Sequence, residues 1–232
     1  MKRRDTLARL GRLSTVAALP AWMADAAAQK SDGGKGAGAD SAATGQRVLR
    51  YAILAGETGF DPAQINDNTS RTITSHIFES LYCYDHLARP PRIVPLVADG
   101  EPVAEDQFKR WTFKVRAGIY FADDPAFNGP DGRAVKRELV AADFLYMLKR
   151  FADPILKSPL WASMENLKIL GLAELRKDAL DKKAKFDYDR PIEGMKLLDR
   201  HTFQLQLAEP RPRLKESMSV PDLFGGVADG PE

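Results

Sequence analysis

The sequence is poor in the side chains that build reactive centres. Among 232 residues there is one cysteine, Cys83, and there are three histidines, His76, His86 and His201. A single cysteine excludes an intrachain disulfide in any compartment. No CxxC, HxxxH or carboxylate–histidine pair stands at metal-ligand spacing, which removes the common zinc sites. There is no G-x-S-x-G elbow, no cysteine with a nearby base, and no phosphate loop preceded by a strand. "GGKGAG" sits in a low-complexity stretch with no strand before it. The segment beginning at Asp124 fails as a calcium loop, because its third position is Ala126 and its twelfth is Val135, where a glutamate is needed. Charge of one sign is scarce as well. The formal net charge is +2, and residues 1–28 alone carry five basic against two acidic side chains, so the remainder is close to neutral. No basic stripe points to nucleic acid. No apolar run reaches the roughly 20 residues that span a bilayer.

What is present is organised. "MKRRDTLARLGR" is a basic n-region, "LSTVAALPAWMA" a short apolar h-region and "ADAAAQ" a small-residue cleavage site. Residues 1–28 therefore read as a signal peptide. Arg3-Arg4 followed by Leu7 is a partial twin-arginine pattern, so the Sec and twin-arginine routes both stay open. With no cysteine after the h-region there is no lipid anchor, and the expected location is the periplasm. Residues 29–46 are rich in Gly, Ala and Ser and read as a disordered linker.

Beyond the linker the patterns are those of a mixed α/β domain. Val48–Leu54 reads as a strand, and "AGETGFDPAQ" as a loop. Ile73, Ile77 and Leu81 recur at helical spacing, which predicts a helix running through "SRTITSHIFESLYCYD", capped by Asn68, Thr69 or Ser70. "PRIVPLVADGEPVAEDQF" reads as an irregular surface run. In "RWTFKVRAGIYF", Trp111, Phe113 and Val115 alternate with Thr112, Lys114 and Arg116, a strand with one buried face that Gly118 ends. "VAADFLYMLKRFADP" predicts a helix with Ala141, Phe144, Leu145, Leu148 and Phe151 on one face and Pro154 as its stop. "LGLAELRKDALDKKAK" predicts a more polar helix. "IEGMKLLDRHTFQLQLAEP" predicts a hairpin with Phe203, Leu205 and Leu207 inward. After Pro212 no period is sustained.

The order of these segments carries a resemblance. Phe60-Asp61-Pro62, Glu79-Ser80-Leu81-Tyr82, Trp111 to Phe121, Gly132-Arg133, Ala142-Asp143-Phe144 and Leu148-Lys149-Arg150 follow one another, and Gly194 precedes "LLDRHTFQLQLAEP". Over about residues 47–212 the chain resembles the extracellular solute-binding proteins of the oligopeptide- and dipeptide-binding class, family 5, which serve ABC importers. One departure is Val140, where the family often has a threonine helix cap. The resemblance implies a mixed α/β fold, the first lobe of a type II-like periplasmic binding protein, occupying residues 47–214. Residues 215–232 read as an irregular tail from a truncated gene product, lacking a facing lobe and with binding lost. From the missing motifs the expectation is no catalysis, no metal and no cofactor. The resemblance implies as partners an oligopeptide or similar small solute and ABC importer permease subunits, with no nucleic acid and no stable membrane insertion. Ligand contact falls to Gly56, Glu57, Thr58 and Gly59, with Glu57 facing a ligand's α-amino group, and to Tyr82 on the same lobe. From the residues alone an exported hydrolase with a scattered site, or a plain interaction domain, remains an alternative.

Overall fold

The computed structural model describes residues 50–228. The expected leader, the linker and Val48 lie outside them. Described residues from Ala52 belong to one compact unit, while Arg50 and Tyr51 belong to another. The first unit is built in chain order from α1 (Asn68–Thr74), β1 (Tyr82–Tyr84), β2 (Ile93–Pro95), β3 (Val103–Glu105), β4 (Arg110–Lys114), α2 (Ala141–Ala152), α3 (Trp161–Glu165), α4 (Leu172–Lys182), β5 (Met195–Asp199), β6 (Thr202–Gln206), α5 (Leu214–Ser217) and α6 (Pro221–Phe224). A 3₁₀ turn at Pro125–Phe127 stands between β4 and α2.

The main sheet has the order β3-β4-β6-β5, antiparallel throughout. Alternation along β4 comes out as expected. Trp111, Phe113 and, just past the strand, Val115 are buried, while Lys114 and Arg116 are exposed. Phe203, Leu205 and Leu207 are buried likewise. Register places Phe113 opposite Phe203, with ring centroids 5.2 Å apart. On the other face Gln204 donates to Thr112 Oγ1 at 3.1 Å, directly across the ladder. β4 ends at Lys114, and beyond it the chain turns at Gly118, whose φ of +80° favours glycine.

Helix α2 covers the apolar face of this sheet. Phe144, Met147, Leu148 and Phe151 recur at i, i+3, i+4 and i+7 and are all buried. Each such side chain contributes about 1.5–3 kcal/mol by leaving water. Val140 offers no side-chain cap, yet the helix start is satisfied. The Asp143 carboxylate reaches back and accepts from the Val140 N–H at 2.8 Å. Asp153 rather than a helical residue precedes Pro154, which ends the helix.

Three expectations need correction. Residues 50–54 form no strand. Residues 52–54 join no ladder among the described residues, and Tyr51, Ile53 and Leu54 are 75%, 45% and 108% exposed. A strand has no ladder without a neighbour, whatever its side-chain pattern. Helix α1 stops at Thr74 rather than running through Asp85, and its N-cap is Asp67 rather than Asn68, Thr69 or Ser70. Thr72 and Thr74 hydroxyls bond the carbonyls of Asn68 and Arg71, drawing on the helix's own acceptors. Tyr82-Cys83-Tyr84 instead becomes a strand, because Ile93–Pro95 is there to pair with it. The proline-rich stretch from Pro91 is correspondingly not irregular throughout, since it supplies β2 and β3 and buries Val97 and Ala98. In the hairpin, Leu197 and Leu198 are each 52% exposed, because β5 is an edge strand with an irregular register between Leu197 and Asp199.

The stretch after Pro212 is more ordered than its sequence pattern. It forms α5 and α6 and buries Leu214, Met218 and Phe224 in the core. Lys215 Nζ bonds the Ile93 carbonyl at 3.0 Å and Glu101 at 2.6 Å, tying α5 to β2. No helix among the described residues is long and apolar enough to cross a membrane.

Candidate functional site

The loop between residue 54 and α1 holds four of the five expected contact residues. Gly56, Glu57 and Thr58 are exposed and Gly59 is half-buried. A Cβ placed on Gly56 or Gly59 would meet nothing within 4 Å, so the loop is open on both flanks. Two anchors hold it. Thr58 is tied to the start of α1, its N–H donating to Ser70 Oγ at 2.9 Å and its hydroxyl donating to Asp67 Oδ2. Asp67 also caps α1, accepting from the Ser70 N–H at 2.8 Å. The second anchor is Asp61. Its Oδ1 accepts from the Ala63 N–H at 3.1 Å, and its Oδ2 accepts from Arg150 Nη2 at 2.7 Å. That ion pair joins two of the motifs that carry the family resemblance, 89 residues apart in sequence. Its side chains are only 16% and 29% exposed, so it is less screened than a surface pair. The loop thus presents Glu57 from a backbone fixed at Thr58 and at Asp61.

Tyr82 is elsewhere. It is fully buried, its ring 6.4 Å from that of Phe113, its hydroxyl donating to the Gly100 carbonyl at 3.3 Å. Burial, and then the charge of Glu101, push its phenol well above the usual range. The structure therefore brings Gly56, Glu57, Thr58 and Gly59 together and sets Tyr82 in the core beneath β1. Cys83 is half-buried in the same strand. Among the described residues no group of three or more His, Cys, Asp or Glu is placed to hold a metal ion.

Asp67 is the residue beside the loop that the sequence reading passed over, and Ser70, read there only as a candidate helix cap, also holds Thr58. The available signal was local: an aspartate three residues before a serine at the start of a helical run is an N-cap pattern. The hydrogen bond from the Ser70 backbone, followed by that from Thr58, holds the Asp67 carboxyl down to about 2. A depressed carboxyl stabilises the fold above its unfolded value of 3.8 and loses that contribution as pH falls through about 2. A carboxyl-carbon NMR titration should therefore place the Asp67 midpoint near 2. Thr58→Val should move it upward, and a midpoint near that of a free aspartate in the unsubstituted chain would show that the Thr58 tether is not formed.

Comparisons with known proteins follow this geometry. The family model for bacterial extracellular solute-binding proteins, family 5 Middle, matches residues 92–229. The chain is 29% identical over 152 residues to the periplasmic oligopeptide-binding protein OppA of Salmonella typhimurium, covering 66% of this chain and 23% of that protein. It is 25% identical over 179 residues to the probable deoxycholate-binding periplasmic protein YgiS of Escherichia coli, covering 77% and 29%. Among solved structures it resembles the Escherichia coli murein tripeptide binding protein MppA with a TM-score of 0.54 and 25% identity, covering 76% of this chain and 30% of that one. Haemophilus influenzae OppA in complex with RPPGFSPFR also gives a TM-score of 0.54, at 21% identity, covering 75% and 29%. The chain thus spans under a third of the length of the relatives it matches. Its mixed α/β architecture is that of part of the type II periplasmic binding protein fold.

Proposed function

The chain belongs to family 5 of the bacterial extracellular solute-binding proteins, and from that premise we infer that it encodes one lobe of the periplasmic substrate-binding component of a peptide-type ABC importer. The observation that carries this reading is the family match over residues 92–229. The doubly anchored, open loop at Gly56–Gly59 supplies a place for ligand on the same lobe. In such a component an extended peptide is held largely through main-chain hydrogen bonds, with water filling the side-chain pockets. Glu57 pairs with the ligand's α-amino group, and Gly56, Thr58 and Gly59 offer main chain. Partner permease subunits, and export through the Sec or twin-arginine route by the leader at 1–28, belong to the same proposal. So does the loss of tight binding by this chain alone, since a two-lobed clamp closes on its ligand from both sides.

The test is a chimera in which residues 47–212 of this chain replace the matching region of the Salmonella relative. By calorimetry it is expected to bind short peptides. Glu57→Gln is expected to weaken peptides with a free amino terminus by roughly tenfold, and N-acetylated ones hardly at all. A chimera that melts cooperatively yet binds no peptide would overturn the assignment. Binding of the same peptides by the unfused chain at comparable affinity would overturn the claim that the lobe is insufficient alone.

A further inference from the structure

At the opposite end of α1 from the Gly56–Gly59 loop lies a groove of about 550 Å³. Its walls are the exit of α1 at His76–Glu79, the stretch Ile119–Asp124 that follows the main strand, and the tail at Gly226. The floor is apolar, with Phe78, Phe121, Phe127 and Leu139 lining it. Ile77 and Tyr120 stand at its mouth, 57% and 53% exposed. The tail closes in tightly: a Cβ on Gly226 would come within 2.4 Å of Leu139, and one on Gly225 within 2.8 Å of Phe78. Glycine at both positions lets the tail form that wall.

Two further features say what would fill the groove. The rim is acidic, with Glu79, Asp123 and Asp124 all exposed. Asp124 spends one carboxylate oxygen on the Ala126 N–H at 2.8 Å. Arg137, 5.8 Å from the Phe121 ring, is buried and paired with Asp143, so it offers the rim no counter-charge. The second feature is backbone. Phe121 donates to the Arg137 carbonyl, and Leu139 donates to that of Ile119, which settles that side of the strand. Asp124, three residues past Phe121, is extended at φ −140° and ψ 141°. Main-chain groups of successive strand residues alternate sides, and among the described residues the amides and carbonyls of Tyr120 and Ala122, on the other side, make no backbone hydrogen bond. An open extended edge beside an apolar trough is the geometry of strand addition.

We propose that this groove binds an extended peptide segment in which basic side chains alternate with large apolar ones. The segment adds as a strand along Tyr120–Ala122. Alternate side chains of an extended segment point to opposite faces, so one set enters the apolar floor while the other reaches the rim carboxylates. The proposal stands on the groove alone and does not depend on the importer reading.

Fluorescence anisotropy of fluorescein-labelled Arg-Leu-Arg-Phe-Arg-Leu amide, titrated with the full chain at low salt, tests it. A saturable rise is expected, weakening as ionic strength increases. The double variant Glu79→Gln/Asp123→Asn should lose roughly five- to tenfold in affinity, and Tyr120→Ala should also weaken binding. Leu198→Ala, an exposed change on the edge strand β5, should leave it unchanged. All four substituted side chains are solvent-exposed, and circular dichroism of each variant reports whether the fold is kept. No saturable rise would overturn the proposal. So would equal affinity in the charge-removed variant, or equal binding of a peptide with glutamate in place of arginine. A dimer in gel filtration that Tyr120→Ala dissociates would overturn it in favour of a second copy as the occupant.

Discussion

Asp143→Ala is expected to lower the unfolding free energy of the described domain by about 3–5 kcal/mol. The Asp143 side chain is fully buried, and its ion-pair partner Arg137 is 5% exposed. One carboxylate oxygen receives Arg137 Nη2 at 2.7 Å, and the other receives the Val140 N–H at 2.8 Å. Alanine would remove both bonds at once. The larger loss is electrostatic: a guanidinium would be left in the interior with its carboxylate gone, facing the Glu138 carbonyl and the Phe121 ring. The smaller is the helix cap, worth about 1 kcal/mol. Asp143→Asn separates the two, because it keeps an acceptor for Val140 but not the charge, and should fall between the wild type and alanine. Arg137→Met combined with Asp143→Asn should recover much of the loss, since a buried pair replaced by neutral groups is often close to neutral in stability. Urea unfolding followed by circular dichroism measures all four chains. A cost under about 1 kcal/mol for Asp143→Ala would mean that water reaches the guanidinium, and that the pair is not the closed interior contact the distances describe.

That carboxylate shows where sequence reading stops. Asp143 is legible as a first-turn acid that suits the helix dipole, and Val140 is legible as a poor cap. Joining the two requires knowing that Asp143 turns inward, which depends on Arg137 arriving from a preceding loop. The same limit separates the elements that were read correctly from those that were not. β4, β6 and α2 carry strong periods, and the stop of α2 at Pro154 is encoded locally. β1 and β2 are three residues each, too short for any period, and exist because Tyr82 meets Pro95 across a loop. Residues 52–54 show the converse, strand-like in pattern yet in no ladder among the described residues. At the candidate loop, Gly56 to Gly59 could be picked out as a turn-rich connection following an apolar run. The tether from Thr58 to Asp67 and Ser70 could not, because loop hydrogen bonds follow no spacing rule. Tyr82 illustrates a different ambiguity. A tyrosine near a loop can pack or bind, and only the closeness of Phe113 and Gly100 decides its position here.

Phe203→Ala is the second large effect expected, at about 3–5 kcal/mol. Phe203 is 1% exposed and lies at the centre of the aromatic stack that joins sheet to helix. Its ring is 5.2 Å from that of Phe113 on β4 and 5.9 Å from that of Phe144 on α2. Removing it takes a partner from both layers, and the sheet, held by hydrogen bonds on both sides of β6, cannot collapse to fill the space. Leu197→Ala on the neighbouring strand removes a side chain of comparable size but one 52% exposed, and should cost no more than about 0.5 kcal/mol. Thermal melts of the two variants should therefore differ by roughly 10 °C, given about 2–4 °C per kcal/mol for a domain of this size. Similar melts would mean that the stack is loosely packed and that its aromatics are free for another use. The contrast bears on function because Trp111, Phe113 and Phe203 form a continuous aromatic surface that a ligand cleft would also require. Trp111 is 4% exposed and gives its indole N–H to the Phe108 carbonyl at 2.9 Å, so neither its face nor its polar tip is open to a solute. In the chimera, Phe203→Ala should lower the melting temperature yet leave the affinity for free-amino-terminus peptides intact well below that temperature, whereas Glu57→Gln should do the reverse.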